Sequence, residues 1–409
     1  MNDEQLIAER FPHHHDPEQM VITRGVRGGE VVKRLACQRI RVDGKGRWVS
    51  QHIGGGIDQA SDGQLYATLI APRVILTSVN DGQTWTEIQV QDDNGKLQNV
   101  PFSILNDDTF VALWGDGSGL GCWTSTDRGL HWKQIGCVTK GVFDVVYGDS
   151  NLLQLADGSL LYAGSYQLET PTDESPYQAR NDCQYMLRST DGGATWSQTP
   201  DMKFWGAIKD CRFMVRGQSQ ASTNPGPGGS FPGCYETNLI QLPDGTVMAA
   251  LRYSGMPQPW HDSVSVPWGA AAEPDDHGRT YRHIMLGHST DNGATWQDLR
   301  PVADETGHTV LTYGDCNGEL VQMPDGRLVL IFQRRYPREY AMHMAIVSEN
   351  NGRTWLPHEY HVMAGFGYSG SYVLPDSTII TVNGKAVLNE AGRCENSPHD
   401  AEIIRWRLD

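Results

Sequence analysis

Apolar and polar residues alternate in short runs along most of this chain, the two-residue period of half-buried β-strands. Two kinds of turn punctuate the runs. One is an eight-residue pattern, Ser-x-Asp/Asn-x-Gly-x-x-Trp, which occurs five times, at Ser78–Trp85, Ser125–Trp132, Ser189–Trp196, Ser289–Trp296 and Ser348–Trp355. Each copy carries hairpin chemistry: an Asp or Asn that can bond its own turn, a glycine for positive φ, and an aromatic ring to pack back on the sheet. A structural role is therefore expected for every Ser, Asp and Trp in them. The other turn follows an alternating strand and occurs six times, around Asp62, Asp107, Asp157, Asp244, Asp325 and Asp376.

Each unit thus reads strand, tight turn, strand, loop, strand, box turn, strand, which is a four-stranded antiparallel sheet. Six such sheets arranged radially predict an all-β, six-bladed β-propeller, an architecture that removes exposed sheet edges by closing on itself. The sixth unit lacks a box. Its missing strands are expected from Ala401–Leu408 and from Val32–Val42, which pairs the two ends of the chain. The expected organisation is a polar tail over residues 1–20 and a single propeller over 21–409.

Five boxes on a six-unit β pattern resemble the Asp-box (BNR) repeats of the sialidase superfamily, over roughly residues 50–409. That resemblance implies the fold but not the reaction, because one scaffold hosts many functions. In this connectivity the tight turns and the boxes share one face, so the other face collects the starts of the first strands. Counting back eight residues from each turn Asp gives Gly54, Asn99 (or Val100), Asp149, Glu236, Asn317 and Tyr368. Such equivalent positions converge on the central channel.

The resemblance assigns roles to some of them. Glu236, followed sixteen residues later by Arg252, is similar to the sialidase pairing of a glutamate with an arginine one hairpin away. Tyr368-Ser369, leading to Tyr372 and the turn at Asp376, is similar to the segment carrying the sialidase nucleophile, and Arg338 resembles a further substrate arginine. A phenol is a poor nucleophile until a base takes its proton, and Glu236 would do so for Tyr368. Arg252 and Arg338 would hold an acidic group in planar forks, with Asn317 beside them.

The chain also departs from that pattern. Where sialidases supply another arginine it reads Ile53-Gly54-Gly55-Gly56-Ile57, and the loop that would carry the acid/base aspartate is cut to Ala71-Pro72-Arg73-Val74. Asp149 is the candidate replacement as proton donor. The fourth unit is enlarged, with box serines 289 − 189 = 100 residues apart against 125 − 78 = 47 for the first two boxes. Its long loops carry Trp260 and Trp268, which would stack on sugar rings or form a subunit contact in a homo-oligomer. The expected function is an exo-acting glycoside hydrolase on an acidic or neutral sugar. A uronate-directed lyase and a non-catalytic carbohydrate-binding propeller are the alternatives.

Charge and composition narrow the partners. Lys and Arg number 33 against 49 Asp and Glu, a net charge of −16, which disfavours nucleic acid and anionic membrane. The start, MNDEQLIAERFPHHHDPEQ, is acidic and has neither region of a signal peptide, so a cytoplasmic location is expected. Eight cysteines in 409 residues do not make a disulfide scaffold, though Cys122 and Cys137 bracket a predicted hairpin across which they could face each other. His13-His14-His15 sits in the polar tail, and no motif points to a metal or a cofactor.

Overall fold

The computed structural model describes residues 16, 18–24, 30–43, 48–49, 56–70, 74–92, 102–115, 120–138, 150–167, 182–198, 212–215, 218–221, 231–232, 234–254, 282–307, 309–311, 314–334, 341–365, 367–390, 392 and 394–409. Within them every regular element is a strand, and no helix is long and apolar enough to cross a membrane. The architecture is an all-β, propeller-like fold of four-stranded antiparallel blades. The fourth unit is the cleanest: Cys234–Gln241, Val247–Ser254, Arg282–Ser289 and Gln297–Pro301 pair in that order.

The tight turns are six copies of one hydrogen-bonding unit. In the first, Gly63 N donates to Ala60 O and Ala60 N donates to Gln64 O; the turns beginning at Leu105, Leu155, Leu242, Met323 and Leu374 repeat both bonds. The eight-residue boxes are equally uniform. Ser189 Oγ accepts from Gly193 N at 2.9 Å and donates to Asp191 Oδ1 at 2.8 Å, while Asp191 Oδ1 accepts from Thr195 N at 2.9 Å. The same three bonds recur in the other four boxes. The box side chains thus hold turns, as their chemistry predicted.

Each box also packs on the preceding unit. A Cβ on Gly193 of the third unit would lie 2.6 Å from Cys122 Sγ of the second, and one on Gly293 of the fourth 2.7 Å from Leu161 of the third. Positive φ and this close approach both require glycine there. Apolar clusters fill the spaces between neighbouring units. Tyr66, Ile75, Phe110 and Trp123 join the first and second, and Leu242, Ile284, Leu320 and Phe332 the fourth and fifth. Leu374, Ile380 and Ile403 of the sixth unit pack on Ile57, Leu65 and Leu76 of the first, so the two ends of the series are in contact.

The last two units differ from the sequence expectation of separate sheets. The C-terminal strand Cys394–Trp406 pairs with Val31–Asp43, as the joining of chain ends requires. A further strand, Gln19–Arg24, then pairs with Val31–Asp43 on one side and with His358–Ala364 of the fifth unit on the other. One nine-stranded sheet results. Buried Met20 and Ile22 explain the insertion, since they enter the apolar cluster containing Ile331, Val362 and Ile404. Cys122 and Cys137 do not face each other: Cys122 is opposite Gly136, Cys137 is opposite Gly121, and no disulfide joins them.

Candidate functional site

Glu236 and Asn317, equivalent in sequence, are equivalent in backbone. Each sits at a bulge near the start of the first strand of its unit, where the register with the second strand shifts between Tyr235 and Thr237 and between Cys316 and Glu319. Both take left-handed conformations, with φ of 48° and 56°. A bulge in this conformation re-aims a side chain that regular pleating would send elsewhere, and left-handed non-glycine residues concentrate at sites where surrounding contacts hold them.

The bulges bring four of the sequence-predicted residues together. Tyr368 Oη donates to Glu236 Oε1 at 2.5 Å. The other carboxylate oxygen, Oε2, accepts from Arg252 Nη1 in a buried ion pair. Arg252 Nη1 also reaches Asn317 Oδ1 at 3.3 Å. Arg252, Asn317 and Glu236 are 3%, 4% and 8% exposed, so the ion pair is nearly dehydrated while Tyr368 is half-buried. Asn317 Nδ2 is buried without a hydrogen-bond partner. Its amide cannot be turned over to mend this, because Nδ2 would then confront the guanidinium. The arrangement presents a phenol hydrogen-bonded to a carboxylate, a cation paired with that carboxylate, and an amide donor with spare capacity.

Two further clusters adjoin this site, and the sequence reading passed over both. Arg334 lies between Asp315, with contacts of 2.9 and 3.0 Å, and Glu359, with contacts of 3.1 and 2.7 Å. All three are buried, and the two carboxylates hold the guanidinium firmly protonated against the cost of burial. Its donors are spent on the fold. Glu319, two residues beyond Asn317, is also buried, and burial pushes its carboxyl up to about 7 despite hydrogen bonds from Ser371 and Ser369. Nothing in the local sequence marks these groups, since an Arg or Glu in an alternating strand reads equally as a solvated face.

Below the site runs a channel of about 390 Å³ lined by the first strands of all six units. Of the other sequence-predicted residues, Asp149, Arg338, Trp260 and Trp268 lie outside the described residues, as do Ile53–Gly55 and Ala71–Arg73. Gly54 and both candidates at 99–100 fall there too. Among the described residues no group of three or more His, Cys, Asp and Glu is arranged to hold a metal ion.

No family model and no curated protein matches this sequence. Solved structures match the fold. A protein of unknown function from Dyadobacter fermentans aligns with a TM-score of 0.56 at 14% identity, covering 97% of this chain and 100% of that one. The α-L-arabinofuranosidase of Fusarium graminearum aligns at 0.54 and 13% identity, covering 90% and 97%. A Hadza microbial sialidase aligns at 0.51 and 15% identity, covering 93% and 72%. At these identities the likeness is one of fold: the chain is built like the propellers of known glycoside hydrolases.

Proposed function

We propose that the protein is a single six-bladed propeller acting as an exo-glycoside hydrolase through Tyr368 and Glu236. The observation that carries this is the 2.5 Å hydrogen bond from the Tyr368 phenol to Glu236. It is a nucleophile within reach of its base, and the base is itself oriented by Arg252. Tyr368 Oη attacks the anomeric carbon as its proton passes to Glu236, and the bond from that carbon to the leaving oxygen breaks. An acid protonates the leaving oxygen, with Asp149 the candidate. Water then cleaves the glycosyl–tyrosine bond and the phenol recovers its proton.

Arg252 Nη1 is engaged by both Glu236 and Asn317, and the charge of the guanidinium is partly offset by the Glu236 carboxylate, which favours a neutral sugar over a carboxylated one. In this reading Arg252 works first on the base, while Asn317 Nδ2 meets a sugar oxygen; Arg338 and Trp260 complete the grip on the substrate. Glycosidase neighbours, one named an arabinofuranosidase, support the same reaction class. Six tight turns and a channel bordered by six first strands support the blade count.

The test is turnover of 4-nitrophenyl glycosides, with α-L-arabinofuranoside first, beside sialosides and uronides, by wild type and Tyr368→Phe. Release of free sugar that falls at least about a thousandfold in the variant is expected. An unsaturated, ultraviolet-absorbing product would replace hydrolysis by elimination. No turnover, with equal sugar affinity in the two proteins, would make this a binding propeller.

A further inference from the structure

The channel wall is stitched from unit to unit by side chains of the first strands. In the third unit Asn151 Oδ1 accepts from Leu239 N of the fourth at 2.7 Å. In the fourth, Asn238 Oδ1 accepts from Leu320 N of the fifth at 2.9 Å. In the fifth, Glu319 Oε1 accepts from Ser371 N of the sixth at 2.6 Å. Asn151, Asn238 and Glu319 each stand six residues before their turn Asp, and each acceptor meets the amide five residues before the next one. These are three copies of one staple.

The third copy is different. Asparagine suffices for stapling in two successive units, so the staple alone does not call for a carboxyl or for one more methylene. The extra length lets the second oxygen, Glu319 Oε2, meet Ser369 Oγ at 3.3 Å, next to Tyr368. Ser369 and Ser371 are 5% and 8% exposed, so both bonds are sheltered from water. Glu319 therefore grips the chain on the C-terminal side of Tyr368 at two points, from the same strand that presents Asn317. Burial raises its carboxyl to about 7, and the protonated form can donate to Ser369 where the ionised form accepts.

We propose that Glu319 is a positioning residue for Tyr368: by holding Ser369 and Ser371 it fixes the phenol at its hydrogen-bonding distance from Glu236. The catalytic consequence rests on the hydrolase reading above; the geometric one does not. Displacement of a reacting group by about 1 Å can cost on the order of a hundredfold in rate, so the effect belongs in kcat.

Glu319→Asn separates stapling from positioning, because it installs the side chain that the two neighbouring units already use. Glu319→Gln keeps both contacts, accepting from Ser371 N and donating to Ser369 Oγ. Turnover of the glycoside found in the panel is measured together with hydrogen exchange of the peptide covering 366–373 in the full chain. In Glu319→Asn, kcat is expected to fall roughly 10- to 100-fold with KM within about threefold. Exchange in that peptide should rise while peptides of the third and fourth units stay as in wild type. Glu319→Gln should restore both readouts. Wild-type kcat and exchange in Glu319→Asn, or failure of Glu319→Gln to restore them, would overturn the proposal. If Tyr368→Phe has already removed the hydrolase reading by keeping full turnover, exchange alone still decides the positioning role.

Discussion

Replacing Glu319 by Gln should stabilise the protein in alkaline solution and leave its stability unchanged in acid. The folded-state carboxyl is pushed from an ordinary 4.5 up to about 7, chiefly by burial and against the opposing pull of its serine hydrogen bonds. A carboxyl raised in this way binds its proton more tightly folded than unfolded. Its contribution is therefore fully present below pH 4.5, shrinks as pH rises, and is lost above about pH 7. The interval from 4.5 to about 7, at roughly 1.4 kcal/mol per decade of proton affinity, corresponds to about 3 kcal/mol. Glutamine has the shape of the protonated acid and no charge to bury, so it keeps at pH 8 what the glutamate has lost. Asp58 is also raised, to about 6, and Glu402 is raised, in both cases mainly by burial. Their titration is common to both proteins and cancels in the comparison. The assay is urea unfolding of wild type and Glu319→Gln at pH 4.5 and pH 8. The variant should lead by about 3 kcal/mol at pH 8 and by nothing measurable at pH 4.5. A difference that is the same at both pH values would refute the reasoning, because a change in packing alone has no such pH dependence.

Other substitutions test the frame around the site. Arg334→Met strands Asp315 and Glu359 in a dehydrated interior and should cost about 3–5 kcal/mol in urea unfolding. Arg128→Met, which removes a solvent-exposed partner of Asp62, should cost less than about 1 kcal/mol by the same assay. Gly192→Ala meets open space at φ +70° and should cost about 1 kcal/mol, whereas Gly193→Ala adds a clash with Cys122 Sγ and should cost about 2–4 kcal/mol. Equal losses for that pair would mean that the box does not press on the preceding unit as described.

The legible part of the molecule was what local chemistry writes. A Ser, an Asp or Asn, a Gly and a Trp at fixed offsets can satisfy one another within eight residues, so the boxes could be recognised without knowing what they rest on. Tight turns are local in the same way, and counting back from them located Glu236, Asn317 and Tyr368. Gln19–Arg24 was not legible as a strand that joins two blades, because its pairing partners lie at His358–Ala364 and Val31–Asp43 and its buried residues pack in a cluster assembled from several distant strands. Arg334 illustrates the same limit. Its two carboxylates are 19 and 25 residues away, and only pairing of the fifth unit's strands converts three ordinary charged residues into one buried cluster.

The sequence by itself determined the units and their turns, since these depend on period, on side chain-to-backbone bonds within a few residues, and on glycine where φ is positive. The tertiary structure alone decided how Glu236, Asn317 and Tyr368, counted back from those turns, meet. The bulges at Glu236 and Asn317 re-aim their side chains, and packing of the units brings Tyr368 to Glu236 across 132 residues of chain. Burial gives Glu319 a proton affinity that no local pattern predicts. Each of these depends on distance and dehydration between separate units, which exist only once the blades have packed.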